Sequence, residues 1–150
     1  MTLEDFTLRP AHNSDFLFLC LLRRLTMKSY VELTWGAWSD TDQAERFRDE
    51  FDPLNYQIVV LQGKEIGCLS VEDLKDLLFV DFIAILPEYQ RRGIGTRIMK
   101  NVIAQAEERK IPVCLNVLKV NPARSLYERL GFRVVGGDDH RHHMERLSER

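Results

Sequence analysis

The chain has 150 residues, of which 45% are hydrophobic and 29% charged, and its net charge at pH 7 is −2. That balance describes one globular domain, spanning 1–150, with enough chain to bury a substantial core. It excludes a general electrostatic attraction to nucleic acid or an anionic bilayer, and no apolar run reaches the length of a membrane span.

Cys20, Cys68 and Cys114 are widely spaced among apolar neighbours, which reads as buried free thiols in a reducing compartment. The acidic start, Met1 to Asp5, is unlike a signal peptide, so a cytoplasmic location is expected.

Phe6 to Pro10 alternates and predicts an edge strand. Asn13 or Ser14 is placed to cap a helix carrying Phe16, Leu17, Leu19, Cys20, Leu22, Arg23 and Met27. Tyr30 to Trp38 holds two tryptophans beside Gly36 and reads as a loop covering something large and apolar. Asp40 or Thr41 is expected to cap a second helix running to about Phe51, charged on its solvated face and stopped by Pro53. Tyr56–Gln62 and Glu65–Glu72 form a hairpin across Gly63-Lys64, followed by a turn over Asp73–Asp76.

Leu77 to Ile85 is the central strand, rich in β-branched and aromatic residues and ended by Pro87. Gln90-Arg91-Arg92-Gly93-Ile94-Gly95 is a tight turn. From Thr96 a helix follows, with Ile98, Met99, Val102, Ile103 and Ala106 on one face. The first N–H groups of a helix lack internal partners and carry partial positive charge. Glycines let the backbone approach an anion, and Arg91 and Arg92 add formal charge. The stretch Gln90 to Thr96 is therefore a phosphate cradle suited to a pyrophosphate. It matches neither the P-loop nor the dinucleotide fingerprint, which would need a glycine at Ile98. Its form, Gln/Arg-x-x-Gly-x-Gly/Ala after a strand and before a helix, closely resembles the acetyl-CoA loop of the GNAT superfamily of N-acetyltransferases.

Farther on, Pro112–Leu118 predicts a strand parallel to the central one and beside it, because a helix joins them. The run Asn121-Pro-Ala-Arg-Ser-Leu-Tyr-Glu-Arg-Leu-Gly-Phe132 has a cap at Asn121, Pro122 at the first helical position and a terminating Gly131. It is similar to the superfamily's Asn-x-x-Ala-x-x-Leu-Tyr-x-x-x-Gly-Phe segment, with Arg124 in the usual small position. Phe132–Val135 and His140–Glu145 are expected as closing strands.

The expected fold is α/β in three layers, with a mixed, mostly antiparallel, splayed sheet flanked by helices. Where parallel strands splay, exposed backbone can pair with the amides of a pantetheine arm, and Ile83, Ala84 and Ile85 supply that edge. The resemblance implies acetyl-CoA as cosubstrate, an amine acceptor, and no metal. It gives Asn121 an amide contact, sets Ser125 with the cofactor-binding residues, and makes Tyr127 the acid that protonates the leaving thiolate. It also implies that the segment between the first two helices helps form the acceptor site, so Tyr30, Glu32 and Trp35 are the substrate-binding candidates.

The base is less direct. Some relatives carry a Glu on the fifth strand, where Asn116 stands, and others a Glu where Phe79 stands. Asp81 shares the Phe79 face by period-two alternation and is the base candidate, a lone carboxylate in an apolar strand that should be either raised in pKa or hydrogen-bonded. His140, His142 and His143 match no zinc spacing and read as a solvated strand.

Acetyl transfer to a primary amine, with a small molecule as acceptor, by direct attack in a ternary complex is thus the expected activity. The rivals are a catalytically silent acyl-CoA-binding regulator, and an acyltransferase with another donor or a protein acceptor. A homodimer is compatible with the resemblance.

Overall fold

The computed structural model describes residues 5–149, so the chain start and Arg150 lie outside the described residues. Among the described residues, seven strands and four α-helices follow in chain order: β1 (Phe6–Pro10), α1 (Phe16–Trp35), α2 (Asp40–Glu50), β2 (Tyr56–Leu61), β3 (Lys64–Asp73), β4 (Leu78–Ile85), α3 (Ile94–Arg109), β5 (Val113–Leu118), α4 (Ala123–Arg129), β6 (Arg133–Gly137) and β7 (Arg141–Arg146). The strands form one mixed sheet in the order β1-β2-β3-β4-β5-β7-β6. The β4–β5 pair is parallel and the other registers described are antiparallel, the mostly antiparallel α/β arrangement expected. The chain divides into two compact units, Met1–Ser70 with Phe82–Ile94 and Val71–Asp81 with Gly95–Arg150, so the divide runs through β3 and β4.

In the first unit, β2 and β3 are a hairpin whose closing pair is Leu61 with Lys64. The turn is therefore Gln62-Gly63, one residue earlier than expected. Both residues have positive φ, 50° and 78°, the backbone that matches strand twist in a two-residue turn. Leu19, Leu22, Phe47, Ile58, Cys68, Ala84 and Leu86 are buried together. Phe16 stacks on Phe47 at 5.3 Å, and Tyr56 meets Phe47 and Phe51 edge-on. Gly67 on β3 has a steric reason to be glycine: a Cβ there would lie 2.4 Å from the Ala84 carbonyl oxygen on β4.

Three helix boundaries in the first unit also differ from the sequence reading. Neither Asn13 nor Ser14 caps α1; both lie in a 3-10 turn, Asn13–Asp15, and the acceptor is Asp15, which takes the His12 N–H at 2.8 Å. Arg9 clamps the same carboxylate through two bonds of 2.9 and 2.8 Å. Second, Tyr30 to Trp35 is not loop: α1 continues through it and ends at Gly36, whose φ of 101° only glycine adopts freely. Third, α2 is capped by Ser39, whose hydroxyl accepts from the Asp42 N–H at 3.2 Å, so neither Asp40 nor Thr41 is the cap.

The second unit is built on β5. Its register pairs Leu78, Phe79 and Val80 with Val113, Cys114 and Leu115 on one side and runs against β7 on the other, from Val113–Arg146 to Leu118–Arg141. Helix α3 buries Ile98, Met99, Val102, Ile103 and Ala106, the face read from the sequence. The helix starts at Ile94, two residues before Thr96. Arg146 ties elements together by donating to Glu107 at 2.8 Å and to the Leu130 carbonyl at 2.9 Å. Among the thiols only Cys68 is buried; Cys20 and Cys114 are half-buried, which corrects the expectation of three enclosed cysteines.

Candidate active site

The end of β4 and the turn after it are locked by one side chain. Gln90 donates its Nε2 to the Ile85 carbonyl at 2.9 Å, so the residue read as a cofactor contact also buttresses the strand end. Arg91 and Gly93 have φ of 65° and 80°, which curls the chain before Ile94 turns inward and becomes buried. Residues Gln90 to Gly93 are exposed. Arg92 lies over the Tyr89 ring at 5.0 Å and donates to the Glu88 carbonyl at 3.3 Å. A Cβ at Gly93 or at Gly95 would meet nothing within 4 Å. Gly95 is informative because its φ is ordinary as well. Neither backbone conformation nor packing requires glycine there, and glycine weakens a helix. What glycine does provide is unobstructed access to the unpaired N–H groups of the first turn of α3.

On β4, the Ile85 carbonyl accepts from Gln90. The edge read as open from Ile83 to Ile85 is thus partly engaged already. Burial pushes the Cys68 thiol up to about 12, which makes it an inert part of the core.

In the second unit, Asn121 accepts the Ala123 N–H through Oδ1 at 2.9 Å. One lone pair of its oxygen is taken by the helix start, and the carboxamide NH2 remains free to donate to a ligand. Ser125 is exposed on the first turn of α4, and Thr96 is half-buried in α3. Tyr127 lies one turn into α4, not two, and packs edge-on against Phe132 at 5.9 Å. Desolvation raises its phenol to about 12. No residue among those described hydrogen-bonds that hydroxyl, so it keeps its proton and has it to give.

Asp81 is exposed at its position in β4, yet its carboxyl is raised to about 6, first by partial desolvation and then by the charge of Glu72. It is therefore not a lone carboxylate. Glu72 lies at the end of β3, one short turn before β4, and that closeness in sequence is the signal that marks it as a neighbour of Asp81. Asn116 stands directly opposite His143 in the β5–β7 register, and its Oδ1 meets the His143 Nδ1. His142 sits 3.1 Å from the Arg124 guanidinium, and its pKa is lowered by desolvation and by that cation. Among the described residues no three His, Cys, Asp or Glu gather as metal ligands, and no helix is long and apolar enough to cross a membrane.

Tyr30, Glu32 and Trp35 occupy the last turns of α1. A loop would let the three side chains converge, whereas the 100° step of a helix turns Tyr30 away from Glu32 and Trp35. Glu32 also accepts the Trp38 N–H at 3.4 Å.

The family model of the acetyltransferase (GNAT) domain matches residues 54–134, more than half the chain, including the turn before α3 and the run from Asn121 to Phe132. Over 139 residues the chain is 26% identical to an uncharacterized N-acetyltransferase, YafP, of Escherichia coli K12, covering 89% of this chain and 85% of that one. It is 33% identical over 95 residues to a ribosomal-protein alanine N-acetyltransferase of Haemophilus influenzae, covering 63% and 60%. In structure it resembles a PaiA N-acetyltransferase of Thermoplasma acidophilum in complex with coenzyme A, with a TM-score of 0.75 and 19% identity over 95% of this chain and 99% of that one. That last likeness is one of fold. Taken with the domain match, the exposed glycine turn at the head of α3 and the desolvated phenol of α4 place this chain in the GNAT superfamily of N-acetyltransferases.

Proposed function

We propose that the protein moves the acetyl group of acetyl-CoA to the primary amine of a small molecule, by direct attack in a ternary complex. The observation that carries the reading is Gly95, a glycine that neither its φ nor its neighbours require, at the head of a helix preceded by two arginines. A pyrophosphate on the N–H groups from Arg91 to Thr96 accounts for it. The solved Thermoplasma relative was determined with coenzyme A.

The thioester supplies an activated acetyl group, and the residues of this chain supply positioning and proton transfer. Ile83, Ala84 and Ile85 offer backbone along the pantetheine arm, and Asn121 donates its amide hydrogen to it, with Ser125 nearby in sequence. On the acceptor side, Glu32 and Trp35 share one face of the last turns of α1 and Tyr30 lies on another, so Glu32 and Trp35 are the pair that can meet one amine. Asp81 accepts a proton from the incoming ammonium, directly or through water, and frees the nitrogen lone pair. As the new C–N bond forms and the C–S bond breaks, Tyr127 passes its phenolic proton to the departing sulfur. The phenolate then recovers a proton from the nitrogen and Asp81 releases the ammonium's proton to solvent, so ammonium and thioester become amide, thiol and one proton. Because Tyr127 stays protonated well above neutral pH, it has the state an acid needs.

The test is thiol release from acetyl-CoA across an amine panel. The wild-type protein should release thiol with at least one amine. Tyr127→Phe should lower turnover by about 100-fold, with acetyl-CoA affinity changed by less than about threefold. Equal turnover would remove Tyr127 from the chemistry. Coenzyme A binding with no thiol release from any amine would favour the silent regulator.

A further inference from the structure

A cavity of about 260 Å³ lies between α1 and α2, with Phe16, Cys20, Arg23, Trp38, Phe47 and Arg48 in its walls. The walls carry three aromatic rings and three guanidinium groups, of which Arg24 faces Asp40. Arg23 lies over the Phe47 and Phe82 rings, 4.8 Å from each centroid, and Arg48 lies 4.8 Å over Phe16. Stacking occupies the faces of a guanidinium and leaves the N–H donors on its rim unused. Among the described residues, neither Arg23 nor Arg48 has a carboxylate or hydrogen-bond partner.

The one acid in the walls is already committed. Asp40 accepts from Trp38 Nε1 at 2.8 Å and faces the neighbouring Arg24 at 3.6 Å. Arg23 is half-buried, and a cation held against apolar rings without a counter-charge carries a desolvation cost that a bound anion offsets. The volume falls just below the usual range of about 300–1,000 Å³ for small-molecule pockets, so it admits a compact body and not a nucleotide.

We propose that this cavity binds a small organic carboxylate with an apolar body, the carboxylate bonded by Arg23 and Arg48 and the body packed against Phe16, Phe47 and Trp38. Its walls belong to α1, α2 and the segment joining them, the segment that the resemblance sets on the acceptor side, and its binding is testable without any acyl donor.

Two probes and two readouts test it without an acyl donor. Phenylacetate carries the charge and the ring, and phenylacetamide is its neutral isostere. Trp38 in the wall reports by fluorescence, and Cys20 by its rate of alkylation with iodoacetamide, followed by mass spectrometry against Cys114 as the internal control. Phenylacetate should perturb the fluorescence saturably and slow alkylation of Cys20 but not of Cys114, and the amide should bind about tenfold or more weakly. Arg23→Gln and Arg48→Gln should each erase most of that preference, and Arg23→Lys should retain part of it. If Arg23→Gln does not fold, Arg48→Gln decides alone, since Arg48 is exposed. No saturable response to phenylacetate, equal affinity for acid and amide, or an unchanged preference in the folded glutamine variants would each overturn the proposal.

Discussion

Asp81 and Asp15 are both aspartates, and their surroundings push them in opposite directions. Partial desolvation and the nearby Glu72 raise Asp81 to about 6, so the folded state favours its neutral form. Its carboxylate, the form able to accept a proton, builds up as the pH rises through that value. In the wild type, kcat/KM should climb over the same interval. Asp81→Asn should lose the climb while its melting temperature at neutral pH stays unchanged or rises, because ionising a group whose pKa the fold has raised costs stability. A retained climb would exclude Asp81 as the base. Asp15 is held low, first by its hydrogen bonds from Arg9, with help from the His12 N–H and against the cost of burial. Its stabilisation is complete above the ordinary carboxylate range and is lost as the pH falls through its lowered value. Asp15→Asn should therefore cost about 2 kcal/mol in urea unfolding at pH 7, and the gap to wild type should close in acid.

For a whole element, the first turn of α3 gives the sharper experiment. Gly95 has room for a side chain and an ordinary φ, so Gly95→Leu should fold and gain up to about 1 kcal/mol of helix stability. The same side chain would stand over the N–H groups that the anion needs. Calorimetry should find coenzyme A binding abolished in a protein at least as stable as wild type. Retained binding would take the pyrophosphate away from this turn. Gly93 serves less well, because its φ of 80° strains any other residue and mixes folding with function. Helix α1 shows how an element can outrun its local signals. Tyr30, Val31, Thr34 and Trp35 are weak helix formers, yet a helix already nucleated extends at one bond per residue until Gly36 ends it.

At the scale of the molecule, ligand binding and stability are linked. A ligand that binds only the folded chain stabilises it by about 2.7 kcal/mol at one hundred times its dissociation constant. Saturating coenzyme A should thus raise the melting temperature by about 5–10 °C for a chain of this size. Two controls belong to the same experiment: Gly95→Leu should show no shift, and Tyr127→Phe should show the full one. A wild-type melt indifferent to coenzyme A would undo the proposed reaction as a whole.

The residues alone were enough to reveal what depends on neighbours along the chain. The Gln90 to Gly95 turn between a strand and a helix, the apolar face of α3 and the Asn121 to Phe132 run all write their geometry into short-range spacing, and the family is legible from them. Only the folded chain decided the rest, because spacing along the chain does not say which group a side chain meets, how far a helix extends or which charges face each other. It turned Tyr30–Trp35 into helix, committed the Asn121 oxygen to the Ala123 N–H, set Gln90 against Ile85, brought the charge of Glu72 to bear on Asp81 and opened a cavity flanked by the unpaired Arg23 and Arg48. A sequence records which groups exist; packing decides which of them still lack a partner, and those are the groups able to bind and react.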